Sequence, residues 1–282
     1  MKVMVRPGLV RGAVLTLACL ALFIVCVYLF FPSRRINAFI DQALATQGLS
    51  LTPAVHKTAL PGLAWDNALL MSQQGPLVRF DHLSVRPLLL RLMAGRFVLG
   101  TTTTLGAGRM SIEQKISGRQ TVLVTADRLA LGEMPFFKTV LGARVGGSLW
   151  SEGRVTRGPK GWNGELRLEI SQLEFSGVRM GAFTLPDAGN LNSKGMVRVT
   201  DGKARLESLT LQGEGVYMRL SGDIPSGVNA DAAPLNLVLE IMPKPEFLDK
   251  QKLVFLLLAK FMASPGVYRV PIKGTLLKPE IL

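Results

Sequence analysis

Residues 196–207 read Met196-Val197-Arg198-Val199-Thr200-Asp201-Gly202-Lys203-Ala204-Arg205-Leu206-Glu207. Apolar and polar side chains alternate on both sides of Asp201-Gly202, the period of a half-buried strand. Asp-Gly suits a two-residue type I′ turn, because both central positions need positive φ. That turn sets Val199 opposite Ala204 and Val197 opposite Leu206 on one face, with Thr200, Lys203, Arg198 and Arg205 on the other. The apolar phase then slips from Leu206 to Leu209 and Leu211, so a bulge or twist is expected there.

The same texture extends outward. Glu165-Leu166-Arg167-Leu168-Glu169-Ile170 alternates strictly, with one wet and one buried face. Leu235, Leu237, Leu239 and Ile241 repeat the pattern, as do Tyr268, Val270 and Ile272. Val78, Phe80, Leu83 and Val85 suggest an earlier strand. From Arg96 onward, glycine-containing turns recur every ten residues or so between alternating runs. The fold class expected is mainly β: an extended, curved antiparallel sheet rather than a closed barrel, with a few short helices. Those helices fall at 88–94 and 135–141, each between proline and glycine, and at 249–262. Residues 225–234 read as a polar loop. In the last helix, the seven residues from Leu253 to Ala259 leave no polar face. Either the helix caps the sheet with Leu256 inside, or it lies on a membrane surface with Lys250, Lys252 and Lys260 flanking it.

The N-terminal part has a different character. Gly12 to Phe31, through Leu17 and Leu22, is twenty residues without a charge. A helix of that length spans roughly 30 Å, the thickness of a bilayer's hydrocarbon core. The run is longer than a signal-peptide core and ends in Tyr28-Leu29-Phe30-Phe31-Pro32 rather than in small residues, so an uncleaved signal anchor is expected. Lys2, Arg6 and Arg11 outweigh Arg34 and Arg35, which puts residues 1–11 in the cytoplasm and the following chain outside it. Residues 32–48 carry Ile36, Phe39, Ile40, Ala43 and Leu44 at helical spacing and read as a juxtamembrane amphipathic helix. Residues 49–282 form the external β-rich domain.

The chain has 282 residues and a formal charge of +13, of which Lys2, Arg6, Arg11, Arg34 and Arg35 supply five, leaving +8 on residues 36–282. Bases are interspersed with acids and aromatics are few, so the excess suits either solubility alone or attraction to anionic lipid headgroups, and no nucleic-acid partner is expected. Both cysteines, Cys19 and Cys26, lie in the apolar run, so no disulfide framework and no Cys-based metal site is available. His56 and His82 have no acidic cluster at ligand spacing. Gly106-Ala107-Gly108 and Gly213-Glu214-Gly215 read as turn or strand glycines, since neither has the third glycine of a nucleotide-binding loop or opens a helix. Glu165 and Glu169 share a wet strand face with Arg167 between them, an arrangement unlike a catalytic acid/base pair. No nucleophile elbow, P-loop or metalloprotease motif occurs. A non-enzymatic protein without cofactor or metal is expected.

Gly266-Val267-Tyr268-Arg269-Val270-Pro271-Ile272-Lys273-Gly274-Thr275-Leu276, followed by Pro279, resembles the ending of the type II secretion system protein N family. The strand from Pro234, the step Leu220-Ser221-Gly222-Asp223-Ile224 and the N-terminal anchor are similar to that family as well. The resemblance implies an accessory or assembly subunit in the inner membrane, with its C-terminal domain in the periplasm and other secretion-system subunits as partners. The texture of Gly-punctuated strands is also similar to the AsmA-like lipid-transport superfamily. That likeness implies the alternative, a lipid-binding or lipid-transport module holding acyl chains in an apolar groove.

Overall fold

The computed structural model describes Tyr28 and residues 32–58, 61–181, 183–226 and 233–281. The anchor expected over Gly12, Leu17, Leu22 and Phe31, the tail 1–11, and most of the loop 225–234 lie outside the described residues. Among the described residues no helix is long and apolar enough to cross a membrane.

The described chain is mainly β. The strands are β1 (Leu49–Thr52), β2 (His56–Lys57), β3 (Leu63–Ser72), β4 (Gly75–Pro87), β5 (Val98–Leu105), β6 (Gly108–Lys115), β7 (Thr121–Ala130), β8 (Arg144–Arg157) and β9 (Trp162–Ser176). After the short pair β10 (Arg179–Met180) and β11 (Phe183–Thr184) come β12 (Ala188–Thr200), β13 (Lys203–Gln212), β14 (Val216–Ile224) and β15 (Asn236–Pro243). The last are β16 (Met262–Ser264), β17 (Val267–Gly274) and β18 (Pro279–Ile281). From β3 to β15 each long strand pairs antiparallel with the long strand that follows it, and β17 then pairs with β15. The path runs from β1 at one edge to β16 at the other and does not close on itself.

The hairpin read from residues 196–207 is present in the expected register, with Val199 opposite Ala204 and Val197 opposite Leu206. Asp201 and Gly202 hold φ of 52° and 82°, as a type I′ turn demands. The ladder shifts between Val197↔Leu206 and Met196↔Ser208, where the apolar phase slips.

Helices α1 (Ser33–Ala45), α2 (Leu89–Met93), α3 (Phe136–Leu141), α4 (Pro245–Lys250) and α5 (Lys252–Leu257) complete the fold. Following the antiparallel path, α3, α4 and α5 lie at one end of the strands, the helix end. The Asp201-Gly202 turn and α2 lie at the other, the hairpin end. α1 forms where its apolar spacing predicts, and its Ile36 and Ile40 pack against Trp65, Val55 and Ala68. The Val55 N–H donates to Asn37 Oδ1 at 2.9 Å and ties the chain after β1 to this helix.

The single helix expected over 249–262 is broken. Gln251 stands between α4 and α5 at φ −126° and ψ 36°, and a 3-10 turn (Ala259–Phe261) leads into β16. The physical cause is a competing partner: the Gln251 side chain bonds the backbone of Asp187 twice. Phe255 and Leu258 are the residues that enter the core, at 3% and 0% exposure, while Leu256 is 71% exposed. The helix therefore caps the sheet, but with a different face from the one through Leu256.

Within the strands, Asn67, Arg128, Gln172 and Asn190 take positive φ of 50–52°. The residue after each is buried: Ala68, Leu129, Leu173 and Leu191. The ladder slips beside the last three. These irregularities twist the strands and turn the following side chains into the buried clusters of the sheet's apolar face.

Candidate functional site

Antiparallel pairing places directly opposed residues on one face of a sheet, so rows can be traced across the whole path. One row runs Trp65, Leu83, Thr103, Met110, Ala126, Ser151, Leu168, Gly195, Leu209, Leu220, Leu239, Val270. The next, toward the hairpin end, runs Leu63, Val85, Thr101, Ile112, Val124, Gly153, Leu166, Val197, Leu206, Gly222, Leu237, Ile272. Neither row contains a charge. The opposite face reads Arg86, Gly100, Glu113, Leu123, Arg154, Glu165, Arg198, Arg205, Asp223, Asn236. The two faces thus differ in character along the entire sheet.

Burial of the apolar face is graded. At the helix end a core gathers Leu191, Ile241, Leu258, Val270 and Tyr268, with the Phe255 ring tilted against the Tyr268 ring at 5.1 Å. A smaller cluster holds Leu105, Ala126 and Leu129. In the second row, the eight positions from Leu63 to Val197 are only half-buried. Thr101, Ile112, Val124, Leu166 and Val197 belong to none of these clusters. An uncharged, half-buried strip of this kind can take an apolar ligand or partner. Within the same face Thr103 Oγ1 and Ser193 Oγ are buried without a hydrogen-bond partner among the described residues.

The charged face neutralises itself locally. Arg269 Nε meets Glu240 Oε1 at 2.9 Å, Arg205 meets Asp223 at 3.2 Å and Lys194 meets Glu169 at 3.6 Å. Such exposed pairs contribute about 0–1 kcal/mol each. The Glu169 carboxylate is therefore an ion-pair partner on a solvated face, and Glu165 lies opposite Arg198 and Arg154 in the ladder.

His56 and His82, 26 residues apart in sequence, come together across β2, β3 and β4 on either side of Asp66. The His82 Nδ1 is 2.7 Å from Asp66 Oδ1, and the His56 Nε2 is 3.6 Å from Oδ2. Sequence spacing hides this group, because only strand pairing makes it. Among the described residues no group of three or more His, Cys, Asp or Glu is placed to hold a metal ion. Gly106-Ala107-Gly108 and Gly213-Glu214-Gly215 join consecutive strands.

The family-like tail forms one strand-turn-strand unit. Tyr268 is buried beside Phe255, and Gly266 holds φ 75° in the β16–β17 turn. Pro271 faces Val238 in the ladder with β15. On its other side, pairing with β16 ends at Tyr268 and pairing with β18 begins at Ile272, so its missing donor falls in a gap. Gly274 holds φ 89°, and a Cβ there would run into the Lys278 carbonyl. Thr275 and Lys278 close the following turn through paired backbone bonds of 3.1 and 3.2 Å. Leu276 is exposed at its tip, and Pro279 opens β18. Tyr268, Pro271, Gly274, Thr275 and Pro279 therefore hold the sheet's last strands and the core they cover. Compared with known protein families, curated proteins and solved structures, the chain finds no match.

Proposed function

We propose that this protein is a membrane-anchored, non-enzymatic accessory subunit of a type II protein secretion system. In this reading residues 12–31 hold it in the inner membrane and residues 49–282 work in the periplasm against other secretion-system subunits. The observation that carries the reading is the tail from Gly266 to Pro279. Its family-like residues other than the exposed Leu276 have defined tasks in one unit, from the φ of 89° at Gly274 to the buried Tyr268 ring. The test is secretion itself. In cells carrying such a machine, loss of this chain lowers the amount of secreted protein in the medium, and the full chain restores it. Unchanged secretion after deletion overturns the reading.

A second reading is favoured by the uncharged rows from Leu63 to Ile272 and from Trp65 to Val270. An AsmA-like groove would hold acyl chains along them, with the half-buried stretch Thr101–Ile112–Val124–Leu166–Val197 as its open floor. Full-length protein drawn from membranes in lipid-free conditions and extracted for mass spectrometry then yields phospholipid at about one molecule or more per chain. Lipid-free protein that still supports secretion leaves only the first reading.

A further inference from the structure

Between β4 and β5 the chain leaves the sheet at Leu88 and returns at Val98, where the Leu88 N–H donates to the Val98 carbonyl at 2.9 Å. This excursion carries α2, and it turns its apolar side chains outward. Leu90 and Met93 are 85% and 86% exposed, and Leu89, Leu92 and Phe97 are exposed as well. Ile116, at the tip of β6, is also exposed and its N–H donates to the Phe97 carbonyl at 3.0 Å. Leu90 and Met93 gain nothing from folding in this position. A contiguous exposed patch of this size marks an interaction surface.

In sequence the patch residues are flanked by Arg86, Arg91, Arg96 and Arg119, and Arg91 pairs with Glu113 at 3.2 Å. Its place in the fold identifies the occupant. The Tyr28 hydroxyl lies 2.7 Å from the Gly62 carbonyl, and a Cβ on Gly62 would touch the Arg86 Cβ at 3.0 Å. Arg86 is two residues before Leu88. Tyr28, a residue of the uncharged stretch in the sequence, therefore sits beside the start of the loop that exposes Leu90 and Met93. Apolar side chains with an arginine fringe match the boundary between anionic headgroups and acyl chains.

We propose that the loop 88–97 is a foot that sets Leu90 and Met93 into the headgroup layer of an anionic bilayer. The proposal rests on the reading of residues 12–31 as a membrane anchor. The foot gives the hairpin end of the strands a second attachment, so that the half-buried apolar rows open toward the lipid. The helix end, with α5, then points away from the membrane.

The test uses the full chain in vesicles of phosphatidylethanolamine with about one third phosphatidylglycerol. Cys19→Ala and Cys26→Ala remove the native thiols. Leu90→Cys then takes an environment-sensitive fluorophore, and Leu256→Cys at the opposite end serves as the control. Brominated acyl chains are expected to quench the label at 90 at least about threefold more than the label at 256, and iodide to do the reverse. Equal quenching at both sites overturns the foot. Flotation after a carbonate wash reports on the anchor separately. A chain that floats but keeps residue 90 in water loses the foot and retains the anchor. A chain that does not float loses both.

Discussion

The side-chain amide of Gln251 closes a ring of two hydrogen bonds with the backbone of Asp187. Its Oε1 accepts from the Asp187 N–H at 2.8 Å, and its Nε2 donates to the Asp187 carbonyl at 2.7 Å. Asp187 in turn accepts from the Gly177 N–H through Oδ1 at 2.8 Å. This pair joins the break between α4 and α5 to the loop before β12. Gln251→Ala leaves both Asp187 backbone groups to solvent and is expected to cost about 1 kcal/mol. In thermal melts of the full chain in detergent, that is a fall in Tm of roughly 2–4 °C.

The cap formed by α5 is carried by Phe255, whose ring lies 6.1 Å from Phe247 and 5.1 Å from Tyr268. Phe255→Ala removes a buried aromatic from this cluster and is expected to destabilise by about 3–5 kcal/mol. Leu256→Asp, on the exposed side of the same helix, should change stability by no more than about 0.5 kcal/mol. Denaturant titrations of the two variants check the order. Equal losses would mean that α5 buries its other face.

At Gln172 the strand adopts φ 52° and its exposed side chain makes way for the buried Leu173. Gln172→Gly is expected to be neutral or mildly stabilising, since glycine enters this region at no steric cost. Gln172→Val places a β-branched side chain there and should cost about 1–2 kcal/mol. The difference between the two melting temperatures is the diagnostic, because both variants lose the same amide.

Gly274→Ala meets the Lys278 carbonyl in a backbone held at φ 89°. Strain of this kind costs on the order of 1–3 kcal/mol before the clash is counted. Since Leu235 donates to the Gly274 carbonyl at 2.9 Å, the loss should spread to the start of β15. Hydrogen exchange should show faster amides in β15, β17 and β18 than in β5–β7.

On the apolar face, Ile112→Lys and Leu166→Lys put charges into half-buried positions outside the core clusters. A long lysine can turn its ammonium toward water, so the fold should persist with a loss of about 1–2 kcal/mol. If this face holds acyl chains, the double variant should carry several-fold less co-purifying phospholipid. Undiminished lipid would place any lipid elsewhere.

Much of the fold was legible because strand pairing is written locally. The turn at Asp201-Gly202 and the alternation from Met196 to Glu207 are enough to define a register, since a slip by one residue would turn every apolar side chain outward. The same alternation in residues 165–170, 235–241 and 268–272 specifies which face is apolar, and meander order follows from short connections. The helix at 249–262 was legible only as an apolar run. Its break at Gln251 depends on Asp187, 64 residues away, and no local pattern encodes that partner. Which of Phe255 and Leu256 faces inward depended on the same contact. His56, Asp66 and His82 were separate in sequence and met only through β2–β3–β4 pairing. The outward Leu90 and Met93 read as an ordinary short helix between Pro87 and Gly95, because periodicity reports that a segment is apolar but not what covers it. The sequence by itself determined a mainly β, two-faced sheet. Tertiary structure decided where that sheet's apolar face is closed by helices and where it stays half-open, because closure depends on contacts between residues far apart along the chain.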